Sequence, residues 1–378
     1  MLALVGAFLD ADQLLRSWLF AFLFWLGLSL GSLAIVLLHH ATGGSWGFAI
    51  RRILEASMRT LPLMAAFFVP ILLGVTHLYP WAEPGVTEHD ALIAHKAPYL
   101  NVPFFAIRAA LYFALWIGLT FIMTGLSSKQ DKSGHPSWNR RMRVLAGPGL
   151  AMYGLTMSFA AVDWSMSLEP HWFSTIYGVL FIVGQALATL AFAILGAAWL
   201  AHRDPFRRWI SRGHFHDLGN LTFAFVMLWA YVSFSQFLII WSGNLAEETP
   251  WYLHRSAHGW QVIAMLLLAF HFVVPLAVLL TRKAKRNARV LAVIAGGLLV
   301  MRFVDLYWLV APAFHPDSLT FHWLDPVAVV AMGGLWFAYF IRQLKGRPLI
   351  SLQDAQLTAA FDTPTEGSSS GPAPEVVT

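Results

Sequence analysis

The chain has 378 residues, of which 58% are hydrophobic and only 12% charged. Soluble domains carry about 25% charged residues, so half that share leaves too little polar surface for a water-facing globule, and lipid is the expected solvent. With no cysteine, the chain can form no disulfide, attach no haem through C-x-x-C-H and hold no Cys-ligated iron–sulfur cluster of its own.

Nine apolar stretches are long enough to cross about 30 Å of hydrocarbon at 1.5 Å per residue. In chain order they run over Trp18–His39, Arg52–Leu78, Phe104–Leu126, Val144–Val162, Trp172–Leu200, Leu218–Trp241, Gly259–Thr281, Val290–Ala311 and Pro326–Arg342. The first is too long for a signal-peptide core and no convincing cleavage site follows it. Of the 25 Lys and Arg, nineteen fall in one set of alternate loops, three in the other set and three inside spans. The positive-inside rule then places the C-terminus in the cytoplasm and the N-terminus of this chain outside. The same alternation argues against a nucleic-acid surface, because the positive formal charge of +5 is not gathered into one patch.

Span one contains Gly27 and Gly31, a small-xxx-small packing signal. Near the cytoplasmic end of span two, Glu55 and Arg59 are spaced for an i,i+4 salt bridge. The segment Tyr79–Pro103 carries Glu83, Glu88, His89, Asp90, His95 and Lys96. It reads as a surface rim for docking, since the spacing matches no metal-ligand pattern. Arg108, in the outer turns of span three, is placed to snorkel or to hold an anionic partner.

The segment richest in chemistry joins spans four and five, from Asp163 to Gly178. It offers the carboxylates Asp163 and Glu169, the imidazole of His171, the hydroxyls of Ser174 and Tyr177, and an aromatic wall including Trp172. A quinone site needs such a mixture: a flat apolar slot, hydrogen-bonding groups for the carbonyls and a titratable group to take a proton. An interfacial reading stands beside it, in which Trp residues anchor the chain and Asp163 and Pro170 mark helix ends. In span six, Tyr231, Ser235 and Gln236 suggest an interior-facing stripe. His271 lies deep in span seven, and Arg302 and Asp305 lie three apart in span eight. Charges at that depth need a reason: either an ion pair that fixes helix register, or a proton relay in which His271 and Asp305 take part. Haem b needs two facing axial His, and only His271 lies deep.

Met157–Trp164 and Met301–Trp308 are alike, and each is followed by a His-Trp pair before the next span, His171-Trp172 and His322-Trp323. A shift of four spans keeps orientation, so the likeness, if more than chance, indicates a parallel repeat of two four-helix bundles. The bundles would cover roughly residues 17–165 and 171–312 of a transmembrane domain 1–350. Residues 351–378, with Gly-Ser-Ser-Ser-Gly-Pro-Ala-Pro, read as a disordered cytoplasmic tail.

Three segments, His39–Gly47, Asp163–Gly178 and Tyr231–Glu248, together resemble the ActF membrane subunits of alternative complex III, a bacterial quinol:cytochrome c oxidoreductase. Those subunits are similar to the NrfD-like membrane subunits, including that of polysulfide reductase. The resemblance spans about Arg16 to Arg347. It implies an all-α polytopic transmembrane fold of two four-helix bundles plus flanking helices in the bacterial inner membrane. It also implies ten spans, so Met1–Leu9 reads as the remnant of a further span or as a late start. Implied partners are a multihaem cytochrome c, an iron–sulfur subunit, a sister NrfD-like subunit and a terminal oxidase. The haems and iron–sulfur clusters would sit on those partners, and quinone or menaquinone would be the ligand. Quinone binding, proton conduction and a scaffold role all remain open, and midplane charges in a repeat also suit a secondary transporter.

Overall fold

The computed structural model describes residues 10–201, 203 and 210–349. The expected tail and the Met1–Leu9 segment lie outside the described residues. Nine described helices are long and apolar enough to cross a membrane. They are α1 (Ala11–Thr42), α2 (Arg51–Leu73), α3 (Val102–Ser133), α4 (Ser137–Leu168), α5 (Tyr177–Leu200), α6 (Arg212–Gly243), α7 (Trp260–Leu279), α8 (Ala288–Ala313) and α9 (Leu324–Lys345). No strand occurs among the described residues; the protein is an all-α, multi-pass helical membrane protein.

Helix ends follow local chemistry. Asp10 caps α1 by accepting from the Gln13 N–H, so α1 begins before Trp18, and Gly43 ends it at φ 75°. Pro170 and the turn that follows it delay α5 to Tyr177. Two further interruptions trace to proline. α2 breaks at Arg59–Thr60, between the helices Arg51–Met58 and Leu61–Leu73, because Pro62 cannot donate to the Met58 carbonyl and its ring crowds that oxygen. In α7, Leu267–Val273 is π-helical, and Pro275 lies four residues beyond His271, whose carbonyl it likewise cannot serve.

A helix apolar all round belongs at the centre of a membrane protein. The apolar stretch of α1 is 94% buried and that of α5 is 83% buried, against 22% for α7, most of which is exposed. The two central helices pack against each other. Around them the neighbours repeat. α1 packs on α2 and α4, with α3 between those two; α5 packs on α6 and α8, with α7 between those two. α9 flanks the pair, lying along α1 and the first part of α2. Gly31 sets the central contact: a Cβ there would fall 2.2 Å from the Thr189 Oγ1 and 2.6 Å from the Gln185 carbonyl oxygen. The small residues of α1 thus let two helix backbones approach.

The ends of the helices divide into a basic face, holding the Arg51, Arg140 and Arg282 ends, and an opposite face holding the long α2–α3 and α4–α5 connections. On the basic face, the Glu55–Arg59 pairing expected from sequence does not form. Glu55 accepts instead from Arg51 Nε at 3.0 Å, Arg52 Nη1 at 2.6 Å, Ser127 Oγ at 2.6 Å and Arg347 Nη1 at 3.4 Å. Arg52 also pairs with Asp131. Arg59 lies at the helix break, its guanidinium over the Phe121 ring at 5.5 Å.

Candidate functional site

Asp163 ends the regular helix of α4 and is fully buried. Arg108 comes from the second turn of α3 and meets it with two donors, Nε to Oδ2 and Nη2 to Oδ1, each at 2.9 Å. Tyr112, one turn further along α3, donates to Oδ2 at 2.9 Å. The third guanidinium nitrogen donates to the Tyr99 carbonyl at 2.9 Å, and the group stacks 3.8 Å from the Tyr99 ring centre. Bidentate geometry with every carboxylate oxygen engaged is the condition under which a buried ion pair recovers its desolvation cost.

The connection from α4 to α5 is held from both bundles. From the first, Asp90 pairs with His171 at 2.7 Å and Lys96 Nζ donates to the Pro170 carbonyl at 2.6 Å. From the second, Arg255 donates to Glu169 at 2.8 Å and, in the same grip, to the carbonyls of Trp251, Trp308 and Leu309. Trp172 stacks on Trp251, ring centres 4.7 Å apart and 14° from parallel. Ser165 and Tyr177 share a hydrogen bond of 2.8 Å, and Ser174 donates to Gln236 at 3.4 Å. Of the residues singled out from sequence in this segment, Glu169, Ser174 and Tyr177 are thus engaged within the fold, and His171 faces out, 63% of its side chain exposed.

Between this clamped connection, the Tyr79–Pro103 segment and the end of α4 lies a cleft of about 340 Å³. Its wall is mainly apolar, with Met166, Trp172, Phe173 and the ring of Tyr99, and Lys96 and Ser167 add polarity. Two donors on this wall are buried: the Trp172 Nε1–H, without a hydrogen-bond acceptor, and the Tyr99 hydroxyl. The Tyr99 hydroxyl lies beside the Asp163 carboxylate and Tyr112, at the margin of hydrogen-bonding reach. Burial first, and then the Asp163 charge, raise the Tyr99 phenol above its ordinary pKa and keep it protonated. Burial lowers Lys96 below its ordinary value, with Asp90 opposing.

A second polar group lies in the other bundle. Arg302 and Asp305 form the ion pair their spacing suggests, and both are buried. The guanidinium lies against bare backbone: a Cβ on Gly184 of α5 would sit 2.2 Å from Arg302 Nη1. Trp229 donates to Asp305 at 3.4 Å and packs edge-on to His271, ring centres 4.4 Å apart. His271 is fully buried in the π-helical turn, and neither ring nitrogen has a partner. Trp229 therefore bridges His271 to the carboxylate.

Neither a family model nor a curated protein sequence matches the chain. Sequence reasoning missed Tyr99, Tyr112, Trp229, Gly184 and the role of Arg255. The i,i+4 spacing of Arg108 and Tyr112 was a usable signal, since it puts both on one face of α3. The interior stripe expected on α6 is only partly so: Gln236 is buried, whereas Tyr231 is 68% exposed.

Proposed function

We propose that the chain is an integral membrane subunit of a respiratory quinol:cytochrome c, or other electron-acceptor, oxidoreductase of the ActF and NrfD-like kind, and that the cleft beside Asp163 receives a quinol head group. The observation that carries this reading is a pair of buried donors on the wall of an apolar cleft: Trp172 Nε1–H, left without an acceptor, and Tyr99 Oη–H, with at most a marginal bond to Asp163. Buried donors without partners are costly, and a flat ring carrying two oxygens supplies acceptors for both. The cleft volume falls within the range of ligand sites, about 300–1,000 Å³.

Oxidation of a quinol releases two electrons and two protons. The electrons would pass to a haem or iron–sulfur centre on a partner subunit, because this chain has no cysteine to attach a c-type haem or ligate an iron–sulfur cluster and only one deep His to ligate a haem b. Tyr99, which stays protonated, would donate to a ring oxygen and orient the head group, and the two ring protons would leave to water at the mouth of the cleft. By the positive-inside rule the basic face lies in the cytoplasm of a bacterial inner membrane, so the cleft and the protons face the periplasm. The His271–Trp229–Asp305 group, deep in the second bundle, is the counterpart for proton traffic through the membrane.

A second reading, a scaffold without its own quinone site, is favoured by the doubly clamped α4–α5 connection, whose charged groups are engaged in holding the two bundles together. Tyr99→Phe and Trp172→Phe separate the two. Tyr99→Phe keeps the ring and removes one donor; Trp172→Phe removes the other donor and leaves a smaller aromatic ring against Trp251. Lower quinol oxidation in a fully assembled complex supports the site, and unchanged turnover supports the scaffold. Purification of the tagged chain in mild detergent tests both readings: multihaem and iron–sulfur partners with a haem spectrum are expected. A chain that is stable alone and colourless would point to a transporter instead.

A further inference from the structure

Three titratable side chains line the cleft beside Asp163, and all come from the segment between α2 and α3: His95, Lys96 and Tyr99. The local fold puts them there. Asp90 caps the short helix Ala91–Lys96 by accepting from the Leu92 and Ile93 N–H groups, and Ile93 is buried beneath it. The chain then turns at once, with the Tyr99 and Leu100 N–H groups both donating to the Lys96 carbonyl. His95 and Tyr99 therefore reach one cleft from the two sides of a single turn. The three groups differ in what they can do with a proton. Tyr99 is held protonated by burial and the Asp163 charge, so it donates. The Lys96 ammonium donates to the Pro170 carbonyl at 2.6 Å and has no lone pair to offer. His95 is exposed to water, and an imidazole takes up and gives back a proton between about pH 5 and 8. The other charged groups around the cleft are paired: Asp90 with His171, Arg108 with Asp163, and Glu169 with Arg255. Among the described residues, His95 is thus the one group on the wall that can receive a proton near neutral pH and return it to water.

We infer that His95 is the general base of the cleft, taking a proton from the quinol ring and passing it to water. This role rests on the quinol reading of the cleft. A ring oxygen that accepts from Tyr99 still carries its own hydrogen and can donate it to a neutral imidazole nitrogen. As one electron leaves for a haem or iron–sulfur centre on a partner subunit, the ring O–H bond breaks and an N–H bond forms on His95. The imidazolium then yields that proton to water. The second electron follows to a centre of the same class, the other ring oxygen gives its proton to water, and the quinone departs. Two electrons and two protons have left the ring, and His95 ends as it began.

The test uses the assembled complex with menadiol as the quinol, followed by the absorbance of the quinone formed across about pH 5–9. Wild-type kcat should rise with pH through the imidazole range, because only the neutral ring accepts a proton. His95→Ala should lower kcat about a hundredfold, lose that rise and leave Tm unchanged, since the side chain is exposed. Added imidazole should restore turnover to His95→Ala, and more so as pH rises, which a structural role would not produce. Slow turnover that imidazole does not restore overturns the role. So does unchanged turnover in His95→Ala while Tyr99→Phe and Trp172→Phe slow the reaction, a result that leaves the quinol reading standing. Unchanged turnover in all three variants removes the quinol reading and this role with it.

Discussion

Arg108 and Asp163 face each other from α3 and α4 as a bidentate pair, both contacts at 2.9 Å, with Tyr112 completing the carboxylate. The pair closes one bundle beneath the cleft. It fixes the end of α4 and, through the Tyr99 carbonyl, the segment that lines the cleft. Removing one partner leaves an uncompensated buried charge, which costs about 3–5 kcal/mol. Arg108→Gln should therefore lower Tm or abolish assembly. Arg108→Met combined with Asp163→Leu should recover much of the loss, and unfolding of the four proteins of that cycle measures the coupling.

Gly184 is the second place where one atom decides. Because a Cβ would stand 2.2 Å from Arg302 Nη1, Gly184→Ala must displace a buried guanidinium. The expected cost is about 3 kcal/mol or more. Gly297→Ala, where nothing lies within 4 Å, should leave stability unchanged or slightly higher. Equal Tm for the two variants in detergent would refute this account of the α5–α8 contact.

The loop clamp carries a pH dependence. Asp90 caps the short helix Ala91–Lys96 and pairs with His171. Its pKa is lowered, chiefly by the Ile93 backbone N–H and then by His171, with some opposition from desolvation. A carboxyl depressed in the folded state contributes stability above its unfolded pKa and loses it as pH falls through the folded value. Hydrogen exchange in residues 90–96 should thus be slow at neutral pH and accelerate only below the usual carboxylate range of about 4. Asp90→Asn should keep the cap and lose the His171 pairing, whereas Asp90→Ala should lose both.

Pro275 explains the π-helical turn around His271, so Pro275→Ala should let α7 regain regular pairing. That shift would turn the His271 ring away from Trp229. If the proposed complex moves protons through this group, proton release should fall while haem content stays constant. Asp305→Asn should do the same if the group carries protons, and unchanged proton release in both variants would leave it a structural feature.

The spans were legible in the sequence because hydropathy over about 20 residues outweighs every local preference. The Arg302–Asp305 pair was legible because it is three residues apart on one helix. Arg108–Asp163 and Arg255–Glu169 span 55 and 86 residues, and helix rotation, set by packing, decides whether such groups meet. The same rotation turned Tyr231 outward. Glu55 and Arg59 failed as a local pair because Pro62 ends the first helix of α2 at Met58 and leaves Arg59 at the break, and because Arg51 and Arg52 compete for the same carboxylate. Asp163 was recognised as a candidate, but its partners were not. The donors of Tyr99 and Trp172 come together only once the fold brings three segments around one cleft.

The central claim is that the cleft receives a quinol head group, and photolabelling with an azidoquinone on the purified complex tests it most directly. The account predicts label on the peptides containing Tyr99, Met166 or Phe173, protected by excess unlabelled quinone and weakened in Tyr99→Phe and Trp172→Phe. Label confined to other subunits, or label on this chain that quinone does not compete away, would contradict it.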